Sequence, residues 1–510
     1  MNNAATIQRK TFLGHPVGLY ILFLTEMWER FSYYGMRAIL VLFLVQATDT
    51  WNPGYGWDDA RAYALYGWYT MFVYVASIPG GILADKLLGQ KKTVLLGGLL
   101  LCCGHGVLAV DALWAFYTGL ALIVLGVGAL KPNISTMVGG LYRRGDSRRD
   151  MGFYIFYMGI NLGAASAALL VGYVGQKIGW HYGFGLAGIG MLLGQIIYML
   201  GQKHLVGVGE VPSSINTEES EARKRGPSLF ARIFEEKNAR MGFLITTALA
   251  LAFYLLQGSW SYALLLFVLA FAVGFAIVVY NDGNQIEKDR ILVVYISFLI
   301  IICFWGAFEQ AGGLLNVYAN EKTNLNLLGF EIPASWFQSV NAIFILMFAT
   351  LVGSFWAWWR NRGGEASSIF KMAIGLIIMG WGFFFMSKAS VDVQYNDAGE
   401  VIAKSSMTWL ILAYLFHTIG ELCASPVALS FITKLAPERW MAFMMGAYFA
   451  ATGLGNKVAG ALGEWSVSLG EFKIFTGIAI FCTIIGILVI LVLKPLKRLT
   501  HGAERIEGEA

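Results

Sequence analysis

Charge is scarce in this chain. Of 510 residues only 14% are Asp, Glu, Lys or Arg, while 57% are hydrophobic, and the mean hydropathy is +0.61. A soluble domain carries roughly a quarter charged residues, so a water-soluble enzyme or binding module is excluded and a polytopic membrane protein is expected. Cysteine is scarce too. Cys102, Cys103, Cys303, Cys423 and Cys482 all lie in apolar stretches without metal-ligand spacing. Neither a metal site nor a disulfide framework is expected, only free, packed thiols. A P-loop, an HExxH motif and an aspartate-phosphorylation domain are all missing, so no ATP-coupled machinery and no enzyme chemistry is expected. No cleavable signal peptide is expected either, because the first apolar stretch is too long for a signal-peptide core. The net charge of +5 need not mean a nucleic-acid partner, and none is expected, since its location gives the better explanation.

Long hydrophobic runs are abundant. Hydropathy gives fourteen candidate spans, at about 17–46, 61–84, 92–110, 112–141, 151–173, 183–200, 240–257, 260–280, 291–318, 334–359, 369–388, 405–434, 440–464 and 473–493. An even number puts both termini on one side. The terminal segments and even-numbered connections hold 27 of the 37 Lys and Arg, and the odd-numbered connections hold 6. The positive-inside rule then puts both termini in the cytoplasm. The expected organisation is a cytoplasmic N-terminus (1–16), a six-helix bundle (17–200), a cytoplasmic linker (201–239), an inserted hairpin and loop (240–290), a second six-helix bundle (291–493) and a cytoplasmic tail (494–510). The polar excursion 388–406 falls outside.

The few charges inside the spans are therefore informative, because ionisable groups in a membrane mark ion or substrate paths. The first span holds Glu26, Glu29, Arg30 and Arg37. With Tyr33 and Tyr34 they occupy a stripe roughly 140° wide. Ile21, Leu24, Phe31, Ala38 and Leu42 face lipid or neighbouring helices on the other side. Elsewhere the deep charges are Lys131, Glu309, Glu421 and Lys457, with the amides Asn161 and Asn341. Span direction puts Arg37 and Glu309 in the outer half, and Lys131 and Glu421 at or below the middle. Two bridging pairs are expected, Arg37–Glu309 outside and Lys131–Glu421 inside. Static ion pairs would contribute little net stability in a membrane, which favours a functional role. Lys457 is expected to snorkel or to pair with Glu464, and His417 to make an interhelical hydrogen bond. A chain with intramembrane carboxylates and no ATP machinery reads as a secondary transporter.

The two halves echo each other. Trp28, Phe31 and Gly35 match Trp305, Phe308 and Gly312 at an offset of 277, and Gly126 and Pro132 match Gly420 and Pro426 at an offset of 294. Parallel repeats of this kind hold substrate between the halves near mid-membrane.

Several motifs carry a family resemblance. The run from Gly81 to Lys92 resembles the loop between helices two and three of the major facilitator superfamily, with one extra residue before Gly89. Glu26-x-x-Glu29-Arg30-Phe-x-Tyr33-Tyr34-Gly35 resembles the signature of the proton-dependent oligopeptide transporter family. So do Phe153-Tyr154-x-x-Tyr157-x-x-x-Asn161-Leu162-Gly163, Trp336-Phe337-Gln338-Ser339-Val340-Asn341 and Gly420-Glu421-Leu422-x-x-Ser425-Pro426. The hairpin at 240–280 is similar to one that prokaryotic members carry. The resemblance implies an all-α major facilitator fold of two six-helix bundles plus an inserted two-helix hairpin, in the cell inner membrane. It implies symport of di- and tripeptides with protons, which serve as coupling ion in place of any cofactor. By motif position, Tyr34, Arg37 and Lys131 would hold the peptide carboxylate. Glu421, Asn161 and Asn341 would hold the amino terminus, and Tyr74, Tyr157, Trp305 and Ser425 would line the pocket. Glu309 would carry the coupled proton and close the outer gate with Arg37. Lys131–Glu421 would help close the inner gate, and Glu26, Glu29 and Arg30 would couple the two sites. The chain departs from the family at Tyr448, where Trp is frequent.

Two alternatives stand beside this reading. One is a carrier of the same fold for nitrate, an amino acid or a glucoside. The other is a peptide-sensing receptor, for which the 201–239 linker is too short to supply a signalling domain. The topology has a direct test. Single cysteines at Ser214 and Asn396 should label from opposite faces of the membrane, Asn396 from outside; labelling of both from one face would refute the arrangement.

Overall fold

The structure is a computed structural model and describes residues 10–143, 146, 148–210 and 229–503. The start of the expected N-terminal segment, positions 211–228 of the linker and the end of the tail lie outside the described residues. Each of the fourteen expected spans is helical: α1 (Val17–Val45), α2 (Asp59–Val75), α3 (Gly89–Leu108), α4 (Leu113–Gly140), α5 (Arg149–Lys177), α6 (Trp180–Gly201), α7 (Lys237–Gln257), α8 (Trp260–Asn281), α9 (Gln285–Phe308), α10 (Phe337–Asn361), α11 (Ser368–Asp392), α12 (Met407–Leu435), α13 (Met441–Leu469) and α14 (Glu471–Leu491). By length and composition alone, eleven described stretches could cross a membrane, one of which, Asp59–Leu108, holds two of the expected spans. Four charges keep α1 out of that set, and α13 is also outside it. The strands among the described residues are two or three residues long and lie before α1 or in connections; Gln394–Tyr395 and Val401–Ala403 make the polar excursion a hairpin.

By compactness the chain divides into two units. The larger comprises Met1–Val211, Phe298–Leu429 and Gly446–Leu491, the smaller Pro212–Ser297, Ser430–Met445 and Val492–Ala510.

In the larger unit the internal repeat takes physical form. A β-carbon on Gly126 would lie 2.8 Å from the Gly97 carbonyl oxygen, and one on Gly97 would lie 2.7 Å from that of Gly126. The same reciprocal approach joins Gly375 and Gly420, at 2.6 Å in both directions. So α3 meets α4 as α11 meets α12, backbone against backbone, which is how small residues pack membrane helices. Beyond those glycines each of α4 and α12 carries an internal proline, Pro132 and Pro426. Proline has no N–H and frees the carbonyl four residues back. In α4 that is Gly128, and the helix Ser77–Leu83 packs its Gly80 there.

Two local irregularities matter for position. Ala84–Leu88 is a π-helical turn. Such a turn usually absorbs one inserted residue, which accommodates the extra residue before Gly89. The ninth span, expected as one helix over 291–318, is broken. It runs as α9, a 3₁₀ turn Glu309–Gly312 and a second helix, Leu314–Lys322. The adjacent glycines Gly312 and Gly313 are poor helix formers, and Gln310 Nε2 bridges the carbonyls of Gly306 and Ala459 at 3.1 Å each. The break falls at Glu309.

The smaller unit is organised by the α7–α8 hairpin, with Ile233, Ala239, Phe243, Ala270 and Val278 at its core. Asp282, just past α8, accepts from Arg232 at 3.1 Å and from Arg439 and Trp440 at 3.0 Å each. Burial raises the Asp282 carboxyl, but these donors outweigh it and hold the group below the usual carboxylate range.

The packing at Gly80 is testable against its neighbour. A β-carbon there would lie 2.0 Å from the Gly128 oxygen, whereas one on Gly81 would meet nothing within 4 Å. Gly80→Ala should destabilise by about 1–3 kcal/mol. Gly81→Ala should be neutral or slightly stabilising, since alanine is the better helix former. Thermal unfolding in detergent distinguishes them; equal midpoints would contradict the contact.

Candidate functional site

The charged stripe of α1 is buried on every side. Glu26, Glu29, Arg30 and Arg37 are 1%, 0%, 3% and 6% exposed. The opposite side packs on α6, where Gly190 and Gly201 make room for Phe31 and Ile21. Arg30 Nε donates to Glu26 Oε1 at 2.7 Å and lies 2.8 Å from Glu29 Oε2. That nitrogen has one hydrogen, so Glu29 is attracted without receiving it. Both Glu29 oxygens and Glu26 Oε2 are sealed without a donor. Two carboxylates thus share one guanidinium in a dry site. Gly163 of the α5 motif permits this closeness, since a β-carbon there would meet the Met27 carbonyl oxygen at 2.2 Å.

Arg37 and Glu309 form the expected outer pair. Arg37 Nη1 donates to Glu309 Oε2 at 2.9 Å and Oε1 at 3.1 Å. Tyr66 in α2, absent from the sequence reading, donates its hydroxyl to Glu309 Oε2 at 3.0 Å. The contacts continue along α1 and α5. Asn316 and Gln338 donate to the Ala38 carbonyl at 2.8 and 3.3 Å. Trp336 donates to Leu169 at 2.9 Å and Ser339 to Ala165 at 2.7 Å. The Trp336–Asn341 motif therefore reaches backbone carbonyls of both α1 and α5.

The last residue of that motif faces elsewhere. Asn341 Nδ2 donates to Glu421 Oε2 at 2.9 Å and to Thr418 Oγ1 at 3.1 Å. Thr418 was also missed, although it lies one turn before Glu421 and hence on its face. The expected inner pair is not formed. Lys131 Nζ sits 3.8 Å above the Tyr74 ring, and its charge acts on Glu29, Glu26 and Arg30. A cation over an aromatic face is stabilised without a carboxylate, and Glu421 is satisfied by Asn341.

The remaining expected residues distribute around these clusters. Tyr34 is half-buried and packs against Arg37, whose Cζ is 5.0 Å from its ring centre. The charge of Glu421 reaches Tyr34, Tyr157 and Tyr448. Tyr157 is 41% exposed, while Lys131, Tyr74, Trp305, Asn341, Glu421 and Ser425 are half-buried. Asn161 is buried and donates to the Tyr157 carbonyl at 3.0 Å, within its own helix, so it does not join Glu421 and Asn341. Trp305 packs edge-on against Phe308 at 5.2 Å. Lys457 pairs with Glu464 at 2.9 Å, as expected. The interhelical hydrogen bond expected of His417 is not seen at Nε2, which has no partner; the ring lies 4.6 Å from that of Phe383.

Chemically this is a divided site. Arg37–Glu309 and the Glu26–Glu29–Arg30 group are sealed, whereas the residues around Glu421 and Lys131 are accessible. Fixed charges of both signs beside accessible aromatic walls suit a zwitterion. Among the described residues no group of three or more His, Cys, Asp or Glu could hold a metal ion.

Comparison with known proteins identifies the family. Residues 91–468 match the model of the POT family. The chain is 37% identical to the uncharacterized transporter YclF of Bacillus subtilis (strain 168), over 98% of this chain and 97% of that one. It is 36% identical to the peptide transporter YePEPT of Yersinia enterocolitica, over 97% of each. The crystal structure of the peptide transporter POT in complex with sulfate superposes with a TM-score of 0.82 at 34% identity, covering 96% of this chain and 97% of that one. A chain with these helices, these buried charges and this likeness belongs to the POT family of multi-pass membrane transporters.

Proposed function

We propose that this protein carries di- and tripeptides into the cytoplasm together with protons, by alternating access, across the cell inner membrane with both termini cytoplasmic. One observation carries the reading: Arg37 and Glu309 are paired and sealed, while Lys131 and Glu421 stand apart and accessible. That is one gate shut and the other open. The names of YePEPT and of the superposed transporter support a peptide as cargo.

In this reading Tyr34, Arg37 and Lys131 take the peptide carboxylate. Glu421 and Asn341 take the amino terminus, and Tyr74, Tyr157, Trp305 and Ser425 form the walls. The one positive charge of Arg37 is neutralised by Glu309 while the two are paired, which weakens its pull on a peptide carboxylate. A proton on Glu309 cancels the charge that holds Arg37 and releases it to the substrate. Proton and peptide thus bias the same two-state element, which is what coupling requires. The Glu26–Glu29–Arg30 group carries one net negative charge when ionised, which a second proton can cancel. Its charge reaches Lys131, so that proton alters the carboxylate end of the site.

The test is uptake into proteoliposomes under an imposed inward proton gradient, with free, N-acetylated and amidated dialanine as ligands. Glu421→Gln should weaken free dialanine by about 2–5 kcal/mol, the effect of leaving a buried charge unpaired, and N-acetyl-dialanine far less. Arg37→Ala should spare the amide in the same way. Equal losses for all three ligands in both variants would mean that these residues act as gates or folding staples and that the peptide is held elsewhere.

A further inference from the structure

Thr418 lies beneath the accessible pair Asn341–Glu421 and is itself 0% exposed. Its hydroxyl hydrogen goes to the Tyr414 carbonyl at 2.8 Å. A hydroxyl has one hydrogen, so towards Asn341 the Thr418 oxygen can only accept. Asn341 must turn its amino group to it, because its own carbonyl there would oppose two oxygens. The second Nδ2 hydrogen goes to Glu421. With both hydrogens fixed, the amide plane is fixed and Oδ1 points away from both acceptors. Among the described residues that oxygen accepts no hydrogen bond, and Asn341 is half-buried. A carboxylate and the oxygen of the amide bonded to it therefore offer acceptors in one neighbourhood, which suits an ammonium with several N–H donors.

We propose that Thr418 is the positioning residue that locks the Asn341 amide so that its oxygen, with Glu421, receives the amino terminus of the peptide. The inference rests on the peptide reading above. Without Thr418 the amide is held only by Glu421. Once Glu421 turns to the ammonium, the amide can flip and present its own N–H groups to a cation.

Thr418→Val keeps the side-chain shape and removes the acceptor, while the Tyr414 carbonyl keeps its helical partner. In proteoliposome uptake the KM for dialanine should rise roughly three- to tenfold, the equivalent of one neutral hydrogen bond, with the maximal rate unchanged. Inhibition by N-acetyl-dialanine should change less than about twofold, and Thr418→Ser should restore the wild-type KM. Thr418→Ala should give the same contrast and serves if the valine variant fails to reconstitute. A wild-type KM in these variants, or equal losses for both ligands, would overturn the proposal while leaving the peptide reading intact. A wild type that takes up no dialanine would overturn both.

Discussion

The site depends on an ion pair that contributes little to stability. Arg37 and Glu309 meet where neither is hydrated, and removing two charges from water offsets most of their attraction. Such a pair holds two helices together cheaply but reversibly, because cancelling one charge removes the attraction. Leaving the partner alone and dry is what is expensive. Any event that neutralises Glu309 must be matched by something that engages Arg37. In the proposed mechanism a substrate carboxylate meets that requirement, and the pair would work as a switch where a hydrophobic contact would not.

The surroundings hold the pair in place. The broken ninth span puts Glu309 in a short 3₁₀ turn, and Tyr66 adds a second donor to the carboxylate. From Arg37 along α1 and α5, side chains on the Leu314–Lys322 helix, the 3₁₀ turn Ala334–Trp336 and α10 reach backbone carbonyls. Each such bond is individually modest. Together they tie these segments to α1 and α5, while the reciprocal glycine contacts of α3–α4 and α11–α12 hold each half internally. Rigid halves and a separable seam are the mechanical requirement for moving a cavity from one side of a membrane to the other.

Much of this was legible in the sequence, for a physical reason. A bilayer demands about twenty apolar residues per helix, so spans announce themselves, and a charge inside one is conspicuous. The α1 stripe, Glu309, Glu421 and the Lys457–Glu464 pair follow from that constraint. Which distant groups meet is another matter. Tyr66 is one tyrosine among many in apolar stretches, and nothing local marks its hydroxyl as a partner of Glu309. Thr418 had a signal in its spacing from Glu421, but a threonine in a span usually bonds its own helix, as this one also does. Lys131 was expected to meet Glu421 by depth alone, and depth says nothing about the Tyr74 ring beside it. The break after Phe308 could have been read from the adjacent glycines, yet hydropathy runs through it unchanged.

The central claim is that Glu309 carries the coupling proton by holding and releasing Arg37. It is tested most directly in proteoliposomes with Glu309→Gln, a fixed neutral mimic, by comparing two modes of the same variant. The account predicts that accumulation of dialanine against its gradient, driven by an inward proton gradient, is lost, while exchange of labelled for unlabelled dialanine across the membrane persists. A variant that still concentrates dialanine when the proton gradient is imposed would contradict it.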